Sequence, residues 1–512
     1  MGRIGLGTWL RGAALLALGV LWLQLFEPFA FPNNDYFSFE RAAQSFAAGE
    51  WPASFKRGPI QPALMAASAP VMGGLHPELR AALVWNWIFS LGFVALLFRF
   101  AWKTFPEAAP WFALLLVTTP VLHAMALQPL VEPSLAFFVA LAFVLLRDRS
   151  PWQYAAAAAA ALSRPEAAAL PPILAVCNAV AEGRWRHHLL LAAGALAPFA
   201  AWNALGVLRG SGATAYGDLM QSGSIRNFAL VGVHYLREGL GGWSAGGKLG
   251  LVLAGGVGAA VGGVGVRRAV REHPREATAA LLWLVASALA VAVFGISKSR
   301  YVLPTVWVVL AFVAIGAVDL ARRLAGERTG RGRLAGERAG RGGLARLMPV
   351  FLLVPLAVGG VLRAHTLYAQ VRDFDRGVLA PAAWLGNHLT TRERVAIVHT
   401  SQTLWVTDLR PRQVVGYAAL AAKDTDSLRD EMRALGITHA AWTWRRPPLN
   451  EGQSFYDERK KVALAEAFRD GEPVPGFELV ATLPGPARLA QPPARIYRLT
   501  PASDASSAPV RQ

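Results

Sequence analysis

Long apolar runs broken by short polar connections fill the first 363 positions of the chain, and after them the pattern changes. The runs fall at 13–26, 79–100, 110–127, 130–146, 152–163, 166–181, 188–207, 248–266, 277–295, 302–319 and 347–363. They are continuous rather than striped, and a helix apolar on every side is buried in lipid or among other helices. About 20 such residues in helical form match the hydrocarbon core of a bilayer. The pattern therefore predicts an α-helical polytopic membrane protein with about eleven transmembrane helices. The runs at 152–163 and 166–181 are short, and Ser163-Arg164-Pro165 lies between them. Proline disfavours an unbroken helix, so these two predict a bent pair.

Beyond Arg363 charges of both signs become frequent. Helix-like stretches at 369–388, 427–435 and 455–468 alternate with strand-like runs at 395–399, 438–443, 477–482 and 494–499. That alternation predicts a small α/β domain over 364–512, following a transmembrane module over 1–363.

Composition agrees with the pattern: 54% of residues are hydrophobic and only 16% charged, against about 25% charged in soluble domains. The net charge of +18 would point to nucleic acid in a soluble chain. Here the basic residues gather in alternate connections: Arg99 and Lys103; Arg147 and Arg149; Arg184 and Arg186; Arg267, Arg268 and Arg271. The segment 320–346, with its near-repeat RLAGERTGRG/RLAGERAGRG, is the most basic. By the positive-inside rule these are expected to be cytoplasmic loops that anchor the topology, with lipid-headgroup contact as the alternative reading, rather than a nucleic-acid surface. The same rule puts the N-terminus inside and places loops 29–78 and 208–247, together with 364–512, on the outer side. The apolar run at 13–26 is expected to be a retained first helix. A single cysteine, Cys177, excludes an intrachain disulfide or a cysteine cluster for metal.

Ionisable groups near apolar spans are costly and therefore worth following. Asp35, in FPNNDYFSFERAA, precedes an amphipathic stretch; it reads either as a helix N-cap or as a carboxylate able to take a proton. Lys56 and Arg57, before the Pro59/Pro62 pair, read as headgroup contacts or as a phosphate site. Glu132 in LVEPS is either a charge favoured by a helix N-terminus or a second acid facing Asp35. Arg164 and Glu166 either pair with each other or join a site. Lys298 and Arg300, in SKSRYVLP, are interface anchors or a clamp for a lipid phosphate. Asp373-Phe374-Asp375 spells a metal-binding DxD, but acids two apart on a helix face different ways. Gly258 and Gly262 form a GxxxG expected to bring two helices together.

Taken in order, the first-loop acid, KRGPIQP, VEPS, SRPE and RYVLP resemble the GT-C superfamily of integral-membrane glycosyltransferases, in its protein-mannosyltransferase-like and aminoarabinose-transferase-like branch. The resemblance covers about residues 1–320. It implies a GT-C-like multi-pass protein of a bacterial inner membrane. Such a protein transfers a sugar from a polyprenyl-phosphate carrier to a glycan, lipid or protein acceptor on the outer face. It further implies Asp35 and Glu132 as catalytic acids. Lys56, Arg57, Arg164, Lys298, Arg300 and Tyr301 become the donor-phosphate residues. Many relatives carry Asp-Glu in the first loop, whereas Asn34 and Tyr36 flank Asp35 here; a divalent metal is the one cofactor left open. An oligosaccharyltransferase or glycan ligase, and a transporter or flippase of a lipid-linked substrate, are the alternatives.

Overall fold

The computed structural model describes residues 35–55, 57–73, 76–210, 225–239, 247–293, 299–325, 347–422, 424–443, 467–484 and 493–500. These fall into two compact units, Asp35–Thr366 and 367–500. The run at 13–26, Lys56, Lys298, most of the basic segment 320–346 and nearly all of 455–468 lie outside the described residues. So do the side chains of 370–376, which include the DxD.

The first unit is helical throughout. Its helices are α1 (Tyr36–Ala47), α2 (Ile60–Met72), α3 (Pro77–Thr104), α4 (Ala109–Val117), α5 (Pro120–Ala126), α6 (Glu132–Arg147) and α7 (Gln153–Ser163). There follow α8 (Leu170–Glu182), α9 (Trp185–Leu208), α10 (Ile225–Gly239), α11 (Gly247–Glu272), α12 (Pro274–Val293), α13 (Leu303–Leu324) and α14 (Met348–His388), which passes into the second unit after Thr366.

Among the described residues five stretches are long and apolar enough to cross a membrane: Pro77–Thr104, Trp185–Leu208, Pro274–Val293, Arg300–Leu324 and Met348–Thr366. A sixth arises if α4 and α5 form one span, bent by 55°. The bend has a local cause. Thr119 precedes Pro120 and is extended, with ψ 122°, as proline demands of its predecessor. The count falls below the expected eleven partly because several apolar runs become short helices. α6, α7 and α8 have 16, 11 and 13 residues, fewer than a bilayer requires. The predicted bend between the runs at 152–163 and 166–181 is present: α7 ends at Ser163, a 3-10 turn covers Pro165–Ala169, and α8 begins at Leu170.

Close packing fixes the arrangement. α11 and α13 cross where a Cβ on Gly265 would lie 1.9 Å from the Phe312 carbonyl oxygen, and one on Gly316 would lie 1.9 Å from that of Val261. Only glycine permits such backbone contact. The crossing is one turn beyond the GxxxG read from sequence, and Gly262 meets Val313 only at an ordinary 3.6 Å. Elsewhere Trp307 of α13 packs edge-on against Phe143 of α6 and Phe100 of α3, with ring centroids 4.9 and 6.0 Å apart. At the far end of α6, Arg147 pairs with buried Glu276 at 3.3 Å, and Arg275 pairs with the same carboxylate at 3.1 Å.

The second unit contains a five-stranded sheet: β1 (Val395–Ile397), β2 (Val414–Gly416), β3 (His439–Trp442), β4 (Phe477–Leu483) and β5 (Ala494–Leu499), in the order β2-β1-β3-β5-β4. β1 runs parallel to both β2 and β3, while β5 is antiparallel to β3 and β4. β1 and β3 are buried along their whole length, as expected of strands covered on both faces. The helix Thr425–Ala434 (α16 after Thr400–Val406, α15) seals one face through Leu428 and Met432.

Candidate active site

Asp35 holds the N-cap position of α1, yet its side chain makes no cap hydrogen bond. The helix start is secured otherwise: Ser38 Oγ donates to the Asp35 carbonyl at 2.6 Å. The neighbouring Tyr36 is fully buried and donates from its hydroxyl to Glu40 at 3.0 Å. Burial, and then the Glu40 charge, push the Tyr36 phenol far above its ordinary range, so it stays protonated as the donor. Burial likewise raises the Glu40 carboxyl, more than the Tyr36 hydrogen bond lowers it.

Freed from capping, the Asp35 carboxylate takes two arginines. Arg57 Nη2 donates to Oδ1 and Arg300 Nη2 to Oδ2. Arg57 also donates from Nε to Ser38 Oγ at 3.2 Å, which ties it to the same turn of α1.

The loop that carries Arg57 is held from two sides. A Cβ on Gly58 would lie 1.8 Å from the Leu162 carbonyl oxygen and 2.7 Å from that of Ser163, so this glycine lets the KRGP loop sit on the end of α7. From α9, the Trp202 indole N–H points at the carbonyls of Phe55 and Arg57, 3.2 Å from each. Its ring packs on Phe55, with centroids 4.6 Å apart.

Arg164 follows directly from that contact. As the residue before Pro165 it is extended, with φ −152° and ψ 140°, which takes its side chain out of the helical path. Its Nη1 donates to Glu132 at 2.6 Å. Its Nη2 and Nε donate to the two oxygens of Glu166 at 2.7 and 3.2 Å. Arg164 thus pairs with Glu166, as the structural reading of the SRPE segment expects, and contacts Glu132 as well. Glu132 is the first residue of α6 and only 1% exposed. Arg300 Nε stands 3.2 Å from the same Glu132 oxygen. Arg300 is itself 3% exposed, and among the described residues its Nη1 has no hydrogen-bond partner. Tyr301 lies beneath both guanidinium groups, with Arg164 4.5 Å and Arg300 5.1 Å from its ring centroid. Its own hydroxyl is 3.3 Å from Arg300. α10 supports it: Tyr235 bonds to Thr305, and Tyr301 packs against the buried cluster of Val231, Val291 and Ala292.

Segments that lie far apart in the chain thus deliver three carboxylates and three guanidinium groups to one place. The structure unites Asp35, Arg57, Glu132, Arg164, Arg300 and Tyr301; Lys56 and Lys298 lie outside the described residues. Among the described residues no group of three or more His, Cys, Asp or Glu is placed to hold a metal ion. Asp35 and Glu132 are bridged by the Arg300 guanidinium. Sequence reasoning missed Trp202, which sits in an ordinary apolar run, and Gly58, whose role depends on a carbonyl more than a hundred residues away.

Two solved structures match nearly the whole chain. ArnT from Cupriavidus metallidurans in the apo state gives a TM-score of 0.51 at 16% identity, covering 98% of this chain and 99% of that one. The same protein bound to undecaprenyl phosphate gives 0.50 at 15%, covering 96% and 98%. The fold is that of the GT-C glycosyltransferases. The apo oligosaccharyltransferase of Archaeoglobus fulgidus also shares it, with a TM-score of 0.52 at 13% identity over 93% of this chain and 80% of that one. No protein-family model and no curated protein matches the sequence.

Proposed function

We propose that this GT-C-fold membrane protein is a glycosyltransferase. It moves a sugar from a polyprenyl-phosphate carrier to a glycan, lipid or protein acceptor on the outer face of a bacterial inner membrane. The observation that carries the reading is the Asp35 carboxylate held between Arg57 and Arg300. A proton acceptor stands there beside groups that bind phosphate oxygens in pairs. ArnT, of the same fold, has been solved with undecaprenyl phosphate bound.

In this reading Asp35 takes the proton of the acceptor hydroxyl or amine as that atom attacks the anomeric carbon. Arg57 and Arg300 stabilise the lipid phosphate that leaves, with Lys56 and Lys298 as further cations. Little more is asked of the protein, because a sugar phosphate already has a good leaving group; positioning and charge stabilisation suffice. Glu132, expected as a second acid, acts through its neighbours: it is buried against Arg164 and Arg300 and orients both. An oligosaccharyltransferase is the second reading, favoured by the likeness to the archaeal enzyme.

The test offers radiolabelled polyprenyl-phosphate sugars to membranes containing wild type, Asp35→Asn or Arg300→Ala. Wild type is expected to label an acceptor. Loss of a general base typically costs about 10²–10⁴-fold in rate, and that is expected of Asp35→Asn. Equal labelling by all three variants overturns the site. Transfer only from a lipid-pyrophosphate oligosaccharide selects the second reading.

A further inference from the structure

A base needs a free lone pair, but both oxygens of Asp35 are already engaged by arginines. A carboxylate whose charged form is held by such bonds is a poor proton acceptor. We infer that Asp35 and the donor phosphate compete for Arg57 and Arg300, so that the donor, by binding, releases the base. The inference rests on the donor reading given above and concerns how the same site is controlled.

The three arginines are not equivalent, and the difference locates the exchange. Arg164 is committed to carboxylates: its Nη1, Nη2 and Nε each donate to Glu132 or Glu166. Arg300 has a buried Nη1 with no acceptor among the described residues. Arg57 is the most open of the three, with 21% of its side chain exposed against 10% for Arg164 and 4% for Arg300. An incoming anion therefore meets donor capacity at Arg300 and an accessible guanidinium at Arg57. The carboxylate between those two is the one to be displaced. Asp35 itself is 23% exposed on its side chain, whereas Glu132 is 2% exposed and enclosed.

Charge balance supports the exchange. Among the described residues three carboxylates are matched by three guanidinium groups. A phosphodiester donor brings one negative charge, which replaces that of Asp35 on the two arginines. Asp35, no longer held by Arg57 and Arg300, stands beside the bond to be broken, and its basicity rises. The acceptor oxygen or nitrogen forms its bond to the anomeric carbon. The carbon–oxygen bond to phosphate breaks with both electrons going to the phosphate, and the acceptor proton passes to Asp35. Neutral Asp35 does not compete for the arginines. Once it has lost the proton to water, it returns to Arg57 and Arg300 and displaces the lipid phosphate. The same carboxylate thus serves as base and as the device that expels the product.

The consequence is opposite to that of an ordinary site mutation: removing the Asp35 charge tightens binding of the lipid phosphate while transfer is lost. The experiment uses the full-length protein in nanodiscs of phosphatidylcholine, with undecaprenyl phosphate as the probe and intrinsic tryptophan fluorescence as the readout. Asp35→Asn is expected to bind about tenfold more tightly than wild type, the scale of losing a competing charge-assisted contact. Adding Arg57→Gln is expected to remove the gain. Asp35→Ala gives the same reading should the asparagine variant fail to fold. Unchanged or weaker binding in the folded variant overturns the competition and leaves the base reading standing if transfer is still lost. Absence of binding by wild type and all variants overturns the donor reading, and the competition with it.

Discussion

An aspartate at the start of a helix ordinarily bonds to the backbone beneath it; Asp35 instead reaches two arginines from other parts of the chain. The sequence leaves its role open between a cap and a base, and the side chain makes no cap hydrogen bond. Glu132 behaves similarly. It stands in the first turn of α6, where the helix dipole favours an acid, but its carboxylate is committed to Arg164 and lies beside Arg300. Arg164 was the most legible of the set, because the proline after it dictates an extended backbone and so an outward side chain. Trp202 was not legible, since nothing in an apolar run marks a tryptophan whose N–H will meet a loop 145 residues earlier. Trp202→Phe keeps a ring against Phe55 and removes the N–H. A hydrogen bond of this kind contributes about 1 kcal/mol. The expected result is a loss of about fivefold in undecaprenyl-phosphate affinity, with the melting temperature of the protein little changed. Unaltered affinity would remove Trp202 from any positioning role.

At the scale of elements, hydrophobic pattern predicted where most helices lie, while their packing depended on single positions. The α11–α13 crossing lies at Gly265 and Gly316 rather than at the GxxxG one turn earlier, because the contact is set by which glycine faces a carbonyl. Gly265→Ala forces two backbones apart, at a cost of about 1–3 kcal/mol for overpacking. Thermal unfolding in detergent is expected at a lower temperature than wild type, and Gly263→Ala, where a Cβ meets nothing within 4 Å, is the control expected to be neutral. In the second unit the runs at 395–399, 438–443, 477–482 and 494–499 became strands. β2 escaped notice because its three residues sit between 3-10 turns and show no alternation. β3 begins with His439, a buried histidine whose pKa burial lowers, against the opposing charge of Glu393. A histidine depressed in the folded state binds fewer protons than the unfolded chain, so stability falls as pH drops through the unfolded value of about 6.5. Amide protection in β1 and β3 of the full-length protein, taken relative to the intrinsic exchange rate at each pH, is therefore expected to fall between pH 7.5 and 5.5. His439→Gln is expected to flatten that dependence, and an unchanged slope would remove His439 as its source.

For the whole molecule, the apolar runs already established an α-helical multi-pass membrane protein, because about 20 apolar residues in a row have no other stable environment. The shift in composition after Arg363 likewise announced a different kind of structure, and a mixed sheet of parallel and antiparallel strands follows it. Five separated motifs in order pointed to the GT-C fold, and the likeness to ArnT over 98% of the chain supports that fold at only 16% identity. The number of full spans was not readable from hydropathy. A bent pair such as α4–α5 and short helices such as α7 carry the same apolar composition as a straight helix, and only packing decides whether they cross. The site divides in the same way. Local chemistry determined which residues were candidates, since a charge beside an apolar run is expensive unless it is used or paired. Their pairing was left to the tertiary structure, because Asp35 and Arg300 lie 265 residues apart and only the folded helices bring them to one hydrogen bond.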